Sequence, residues 1–177
     1  MLDQSVPQIG ADKVQQLGID GKGVKVCILD SGIDKTHPNL PKPIAEHDFV
    51  NDDADATDDN GHGTAMAGIV ASNHVTYKGV AYGTSLMTGK VLDKDGMGHN
   101  GDVVAGIEWC VENGADIISM SLGGFGDTLS GSCDMVSSAN ASNWAVDQGV
   151  VVVAASGNDG DEDGMLAPAC GSKVIAV

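Results

Sequence analysis

Three short segments place side chains that could carry acyl-transfer chemistry. In V-K-V-C-I-L-D-S-G-I-D, Asp30 follows directly on an apolar run. In D-N-G-H-G-T-A-M-A-G, His62 stands between two glycines just before an apolar, helix-period stretch. In A-A-S-G-N, Asn158 lies past the most apolar run of the chain. Each has an ordinary reading alone: Asp30 as a turn or cap residue, His62 as a solvated loop histidine, Asn158 as a left-handed turn residue. Together they have one chemical meaning. A carboxylate that orients an imidazole makes a general base, and an amide N–H aimed at a developing negative charge makes an oxyanion donor. Aspartate before histidine is the chain order of one convergent acyl-transfer solution.

Such groups need a scaffold that brings distant segments to one rim. Apolar runs at 24–29, 86–92, 117–120, 150–154 and 174–177 are predicted strands, unbroken as expected for a parallel sheet covered on both faces. Helix-period segments are predicted at 63–72, 100–113 and 133–148, with a weaker one at 11–17. The alternation implies an α/β fold of βαβ units. In such a sheet ligands bind beyond the carboxyl ends of the strands, where Asp30 and Asn158 fall.

Composition bounds the partners. With 177 residues, 42% hydrophobic and only 3% aromatic, the chain can bury a Val-, Ile-, Ala- and Leu-rich core in one domain. The net charge of −16 argues against nucleic acid. No apolar run reaches the ~20 residues that span a bilayer, and the start carries no basic-then-apolar leader. No G-x-G-x-x-G follows the first run and no G-x-x-x-x-G-K-[ST] occurs, which disfavours a nucleotide-binding domain. Among the cysteines, Cys27 and Cys110 fall in apolar segments and read as buried thiols. Cys133 and Cys170 fall in polar loops that suit a disulfide in an oxidising compartment. No C-x-x-C pair supports zinc.

The sequence resembles the subtilisin-like serine proteases (subtilases) from about Ser5 to Val177. The blocks, in order, are Asp30-Ser31-Gly32-Ile33-Asp34 with His37-Pro38, Gly61-His62-Gly63-Thr64 with Ala67-Gly68, and Lys90-Val91-Leu92. They continue with Ser119-Met120-Ser121-Leu122-Gly123-Gly124 and Ala154-Ala155-Ser156-Gly157-Asn158. The resemblance implies a three-layer α/β/α fold with a mostly parallel, doubly wound sheet, and a secreted serine endopeptidase. Asp30 would orient His62, His62 would be the general base and then acid, and Asn158 the oxyanion donor. Gly96, Met97 and Gly98 on one side, and Ser121, Leu122 and Gly123 on the other, would pair with an extended peptide or protein substrate by strand addition. Leu92, Ile107 and Leu122 could line pockets or be plain core. A pro-segment acting as inhibitor is a further implied partner.

The resemblance also implies a disulfide between Cys133 and Cys170, and calcium in the acidic segment 48–59, which holds six aspartates. Asp48, Asp53, Asp55 and Thr57 are the positional ligands. A second calcium site of the family, after the His62 helix, is expected to be absent or altered, with Asn39 standing where an acid is usual.

Two departures stand out. Ala65 replaces the family's usual second histidine. The G-T-S-M-A block that carries the nucleophilic serine does not occur, and Ser121 and Ser156 belong to other blocks. Residues 1–177 therefore read as the N-terminal portion of a catalytic domain, inactive alone and prone to expose apolar core. A non-catalytic truncated relative that binds peptides is the alternative.

Overall fold

A computed structural model describes residues 2–124, 128–158 and 160–177. The elements in chain order are α1 (Leu2–Gln8), α2 (Ala11–Gln16), β1 (Lys25–Asp30), β2 (Ala45–Asp48), α3 (His62–Ala71), β3 (Ser85–Lys90), α4 (Asn100–Glu112), β4 (Ile117–Met120), α5 (Ser137–Asp147), β5 (Val151–Ala154) and β6 (Ile175–Ala176). The strands form one sheet in the order β2-β3-β1-β4-β5-β6, every neighbouring pair parallel. From central β1 the chain goes one way to β2 and β3, then returns across β1 to β4, β5 and β6. That is the doubly wound arrangement.

Period-two alternation divides the strands between two cores. Cys27 and Leu29 of β1, Met87 of β3, Ile118 and Met120 of β4, and Val152 and Ala154 of β5 share one cluster with Val103, Ile107 and Cys110 of α4 and with Ala141 and Ala145 of α5. Val26 and Ile28 of β1 and Leu86 of β3 point the other way, onto Ala67 and Ala71 of α3. The result is three layers, α/β/α.

Five strands and four helices fall where the patterns place them, within a few residues. The strand β2 has no apolar run, because A-E-H-D is an edge strand whose first three residues are only half buried. The predicted 133–148 helix begins only at Ser137. Cys133 is held instead in a turn, its N–H donating to the Cys170 carbonyl, beside the Cys133–Cys170 disulfide.

The reading of Cys27 and Cys110 as buried thiols is corrected. Both are fully buried, but they form a second disulfide across a Cα separation of 6.0 Å, joining β1 to α4. Packing α4 onto the sheet brings together residues 83 apart in sequence, a proximity that local pattern does not encode.

Candidate active site

The strand β1 ends at Asp30, whose side chain is wholly buried. Two backbone contacts then bring the His62 turn to it. Gly32 has φ +106°, and a Cβ there would meet the Ala56 carbonyl at 2.5 Å; a Cβ on Gly63 would meet the Gly32 carbonyl at 2.2 Å. Only glycine permits so close an approach of main chains. His62 opens α3, and its Nδ1 lies 2.8 Å from Oδ1 and 2.9 Å from Oδ2 of Asp30. With Nδ1–H donating to the carboxylate, Nε2 is the basic nitrogen, on a side chain 45% exposed.

Burial pushes the Asp30 carboxyl above its ordinary value, and hydrogen bonds from His62 and from the Ser31 N–H (2.7 Å) pull it part of the way back. Asp58 shows the opposite balance. Its partial burial alone would raise it, but the Thr64 hydroxyl and the N–H groups of Gly61, Thr64 and Asn60 outweigh that and hold it at about 2.

His62 and Asn158 line one cleft of about 620 Å3. Gly96, Met97 and Gly98 line it on one side, and Ser121, Leu122 and Gly123 on the other. Asp30 does not reach the cleft surface; it sits behind His62. Of the three apolar candidates, Leu92 and Leu122 face the cleft, whereas Ile107 is fully buried core. Sequence reasoning missed Asn60, Gly124, Ala155, Gly157 and Leu166, which also line it. Asn60 accepts from the His62 N–H and donates to the Lys94 carbonyl, linking the histidine turn to the segment before Gly96. It also missed Lys90. Its buried ammonium donates to the carbonyls of Ser31 and Leu92 and to Asp59, tying the ends of β1 and β3 together.

The expected calcium ligands do not form a ligand set in this arrangement. Asp48 is buried at the end of β2 and accepts from the N–H groups of Val50 and Asn51 and from the Asn51 amide. Asp53 accepts from the Asp55 N–H. Asp55 is held at about 2 by the Lys35 ammonium and the Thr57 hydroxyl, and Lys35 bridges it to Glu46. Among the described residues no three His, Cys, Asp or Glu side chains converge as a metal-binding group, and no helix is long and apolar enough to cross a membrane.

This geometry meets known proteins at several points. Residues 21–177 match the family model described as the subtilase family. The chain is 42% identical to subtilisin DY of Bacillus licheniformis, covering 97% of this chain and 62% of that protein. It is 40% identical to the minor extracellular protease Vpr of Bacillus subtilis (strain 168), over 90% of this chain and 20% of that one. It is 39% identical to the major intracellular serine protease of the same strain, over 99% and 57%. The chain thus spans less than two thirds of the length of these relatives. The crystal structure of a cold adapted subtilisin-like serine proteinase superposes with a TM-score of 0.77 at 30% identity, over 89% of this chain and 55% of the other.

Proposed function

The chain belongs to the subtilase family, and on that premise we propose that it supplies the base and the oxyanion donor of a serine endopeptidase that hydrolyses peptide bonds through an Asp-His-Ser triad. The observation that carries this reading is the pairing of buried Asp30 with His62 Nδ1 at the rim of a cleft that also holds Asn158. Asp30 fixes the imidazole orientation and tautomer and stabilises the imidazolium when it forms. Nε2 takes the proton of an attacking serine hydroxyl and later returns it to the leaving amine. The Asn158 amide donates to the oxyanion. An extended peptide or protein adds as a strand between 96–98 and 121–123, backbone to backbone.

The 177 residues contain no G-T-S-x-A block, and we propose that they hydrolyse nothing alone. The uninterrupted reading frame, expressed whole, is expected to contain that block and to cleave an unstructured protein, with activity lost in His62→Ala. A frame without the block, whose product binds peptides but leaves them intact, supports the peptide-binding alternative. Hydrolysis that survives His62→Ala defeats the triad.

Secretion belongs to the proposal, supported by the two disulfides, although one of the matched relatives is named as intracellular. A pro-segment acting as inhibitor belongs to it as well. So does calcium in the 48–59 loop, as a structural ion without a part in the chemistry. Its support is the density of carboxylates, and it requires Lys35 to leave Asp55.

A further inference from the structure

We propose that Asp58 is the positioning residue that sets the spacing of Asp30 and His62, acting as a clamp between the two turns that carry them. The inference rests on the triad reading above. Asp58 touches neither the cleft nor the pair. Its two oxygens nevertheless bind both sides of the gap.

On one side lies the segment that leaves β1. Oδ1 accepts from the Ser31 hydroxyl at 2.9 Å, one residue after Asp30, and the Asp58 N–H donates to the Ile33 carbonyl at 3.2 Å. On the other side lies the turn that enters α3. Oδ1 accepts from the N–H groups of Asn60 (3.0 Å) and Gly61 (2.8 Å), and Oδ2 from the Thr64 N–H (2.9 Å) and hydroxyl (2.5 Å). The two sides also close on each other. Ser31 Oγ accepts from the Gly63 N–H at 2.9 Å, and Thr64 Oγ1 accepts from the Asp34 N–H at 2.8 Å. Each hydroxyl therefore relays the carboxylate's hold to the opposite turn.

The helix itself explains why an anion serves here. Gly61, at the N-cap of α3, has no side chain to cap with, so the first N–H groups of the helix would otherwise lack partners. Asn60 Oδ1 takes the His62 N–H and Ser31 Oγ that of Gly63, while the Asp58 carboxylate takes those of Gly61 and Thr64 at the positive end of the helix dipole. The same contacts that cap α3 thus fix its first residue, His62, against the Asp30 turn.

The test reads the pair directly in the protein expressed from the whole reading frame, by NMR of the histidine ring nitrogens and of the His62 Nδ1 proton at neutral pH. In the wild type His62 is expected in the Nδ1–H tautomer with a low-field Nδ1 proton. Asp58→Ala is expected to shift His62 to a mixed tautomer population and abolish that proton signal while near-ultraviolet circular dichroism stays native. Thr64→Ala, which removes one relay, is expected to shift it part of the way, and Thr64→Ser, which keeps the hydroxyl, to restore it. Wild-type ring shifts and proton in a folded Asp58→Ala overturn the proposal, as do equal effects of Thr64→Ala and Thr64→Ser. If Asp58→Ala does not fold, the Thr64 pair decides alone. Absence of the low-field proton in the wild type would sink the Asp30–His62 pair, and with it the triad reading, before any clamp variant is compared.

Discussion

The Nδ1 atom of His62 lies within 3 Å of both carboxylate oxygens of Asp30, one partner fully buried and the other almost half exposed. A charge with no solvent of its own is thereby given, beside the Ser31 N–H, a directional partner at the protein surface. That asymmetry has a measurable pH signature.

Burial raises Asp30 above its ordinary 3.8 in the folded protein. Between 3.8 and the raised value the native state holds a proton that the unfolded state has released, so stability falls as pH rises through this window and then levels. Asp30→Asn removes the effect from both states. Urea unfolding from pH 3.5 to 7 should show the variant gaining on the wild type as pH rises. In the protein expressed from the whole reading frame, the proposed triad predicts that the same change lowers kcat by about four orders of magnitude, through the wrong histidine tautomer.

Gly63→Ala drives a methyl group to 2.2 Å from the Gly32 carbonyl. We expect a loss of about 1–3 kcal/mol, as for other overpacked sites, measured by urea unfolding. Gly68→Ala in the same helix meets nothing within 4 Å and should gain about 0.5–1 kcal/mol.

Thiol titration in denaturant without reductant should find no free cysteine. Replacing Cys133 and Cys170 by alanine should cost about 3–4 kcal/mol, and replacing Cys27 and Cys110 about 4–5 kcal/mol, because the second pair closes the longer loop. Equal costs, or the reverse order, would show that chain entropy does not govern them.

Calcium should raise the melting temperature of the protein, and more so in Lys35→Ala, in which Asp55 and Glu46 lose their ammonium partner. Calorimetry with calcium and with chelator checks both. No calcium effect in either protein removes the ion from the 48–59 loop.

The parts of the fold legible in sequence were those written locally. Buried parallel strands announce themselves as unbroken apolar runs, and the turns that hold Asp30 and His62 carry their glycines beside the functional residues. What was hidden depends on packing between distant segments. The strand β2 is a polar edge, and α1 contains Pro7 and buries only Val6. Asp58 looked like one more carboxylate of an acidic loop, since nothing local separates it from Asp52 or Asp59. Lys90 sits at the end of an apolar run that gives no hint that its ammonium is buried beneath the site. The 48–59 loop proved to be organised by N–H groups and Lys35, which the density of aspartates does not foretell.

The two disulfides have a practical corollary for what a break in the backbone does to the molecule. A single cut anywhere between Cys27 and Cys110, or between Cys133 and Cys170, leaves both products tethered by a sulfur bridge. The first interval holds the 48–59 loop and the 93–99 turn, so nicks there would pass unseen on a non-reducing gel and separate only after reduction. Only the stretch from 111 to 132, which includes one wall of the cleft, lacks that insurance between the outermost cysteines, and a break there divides the molecule in two.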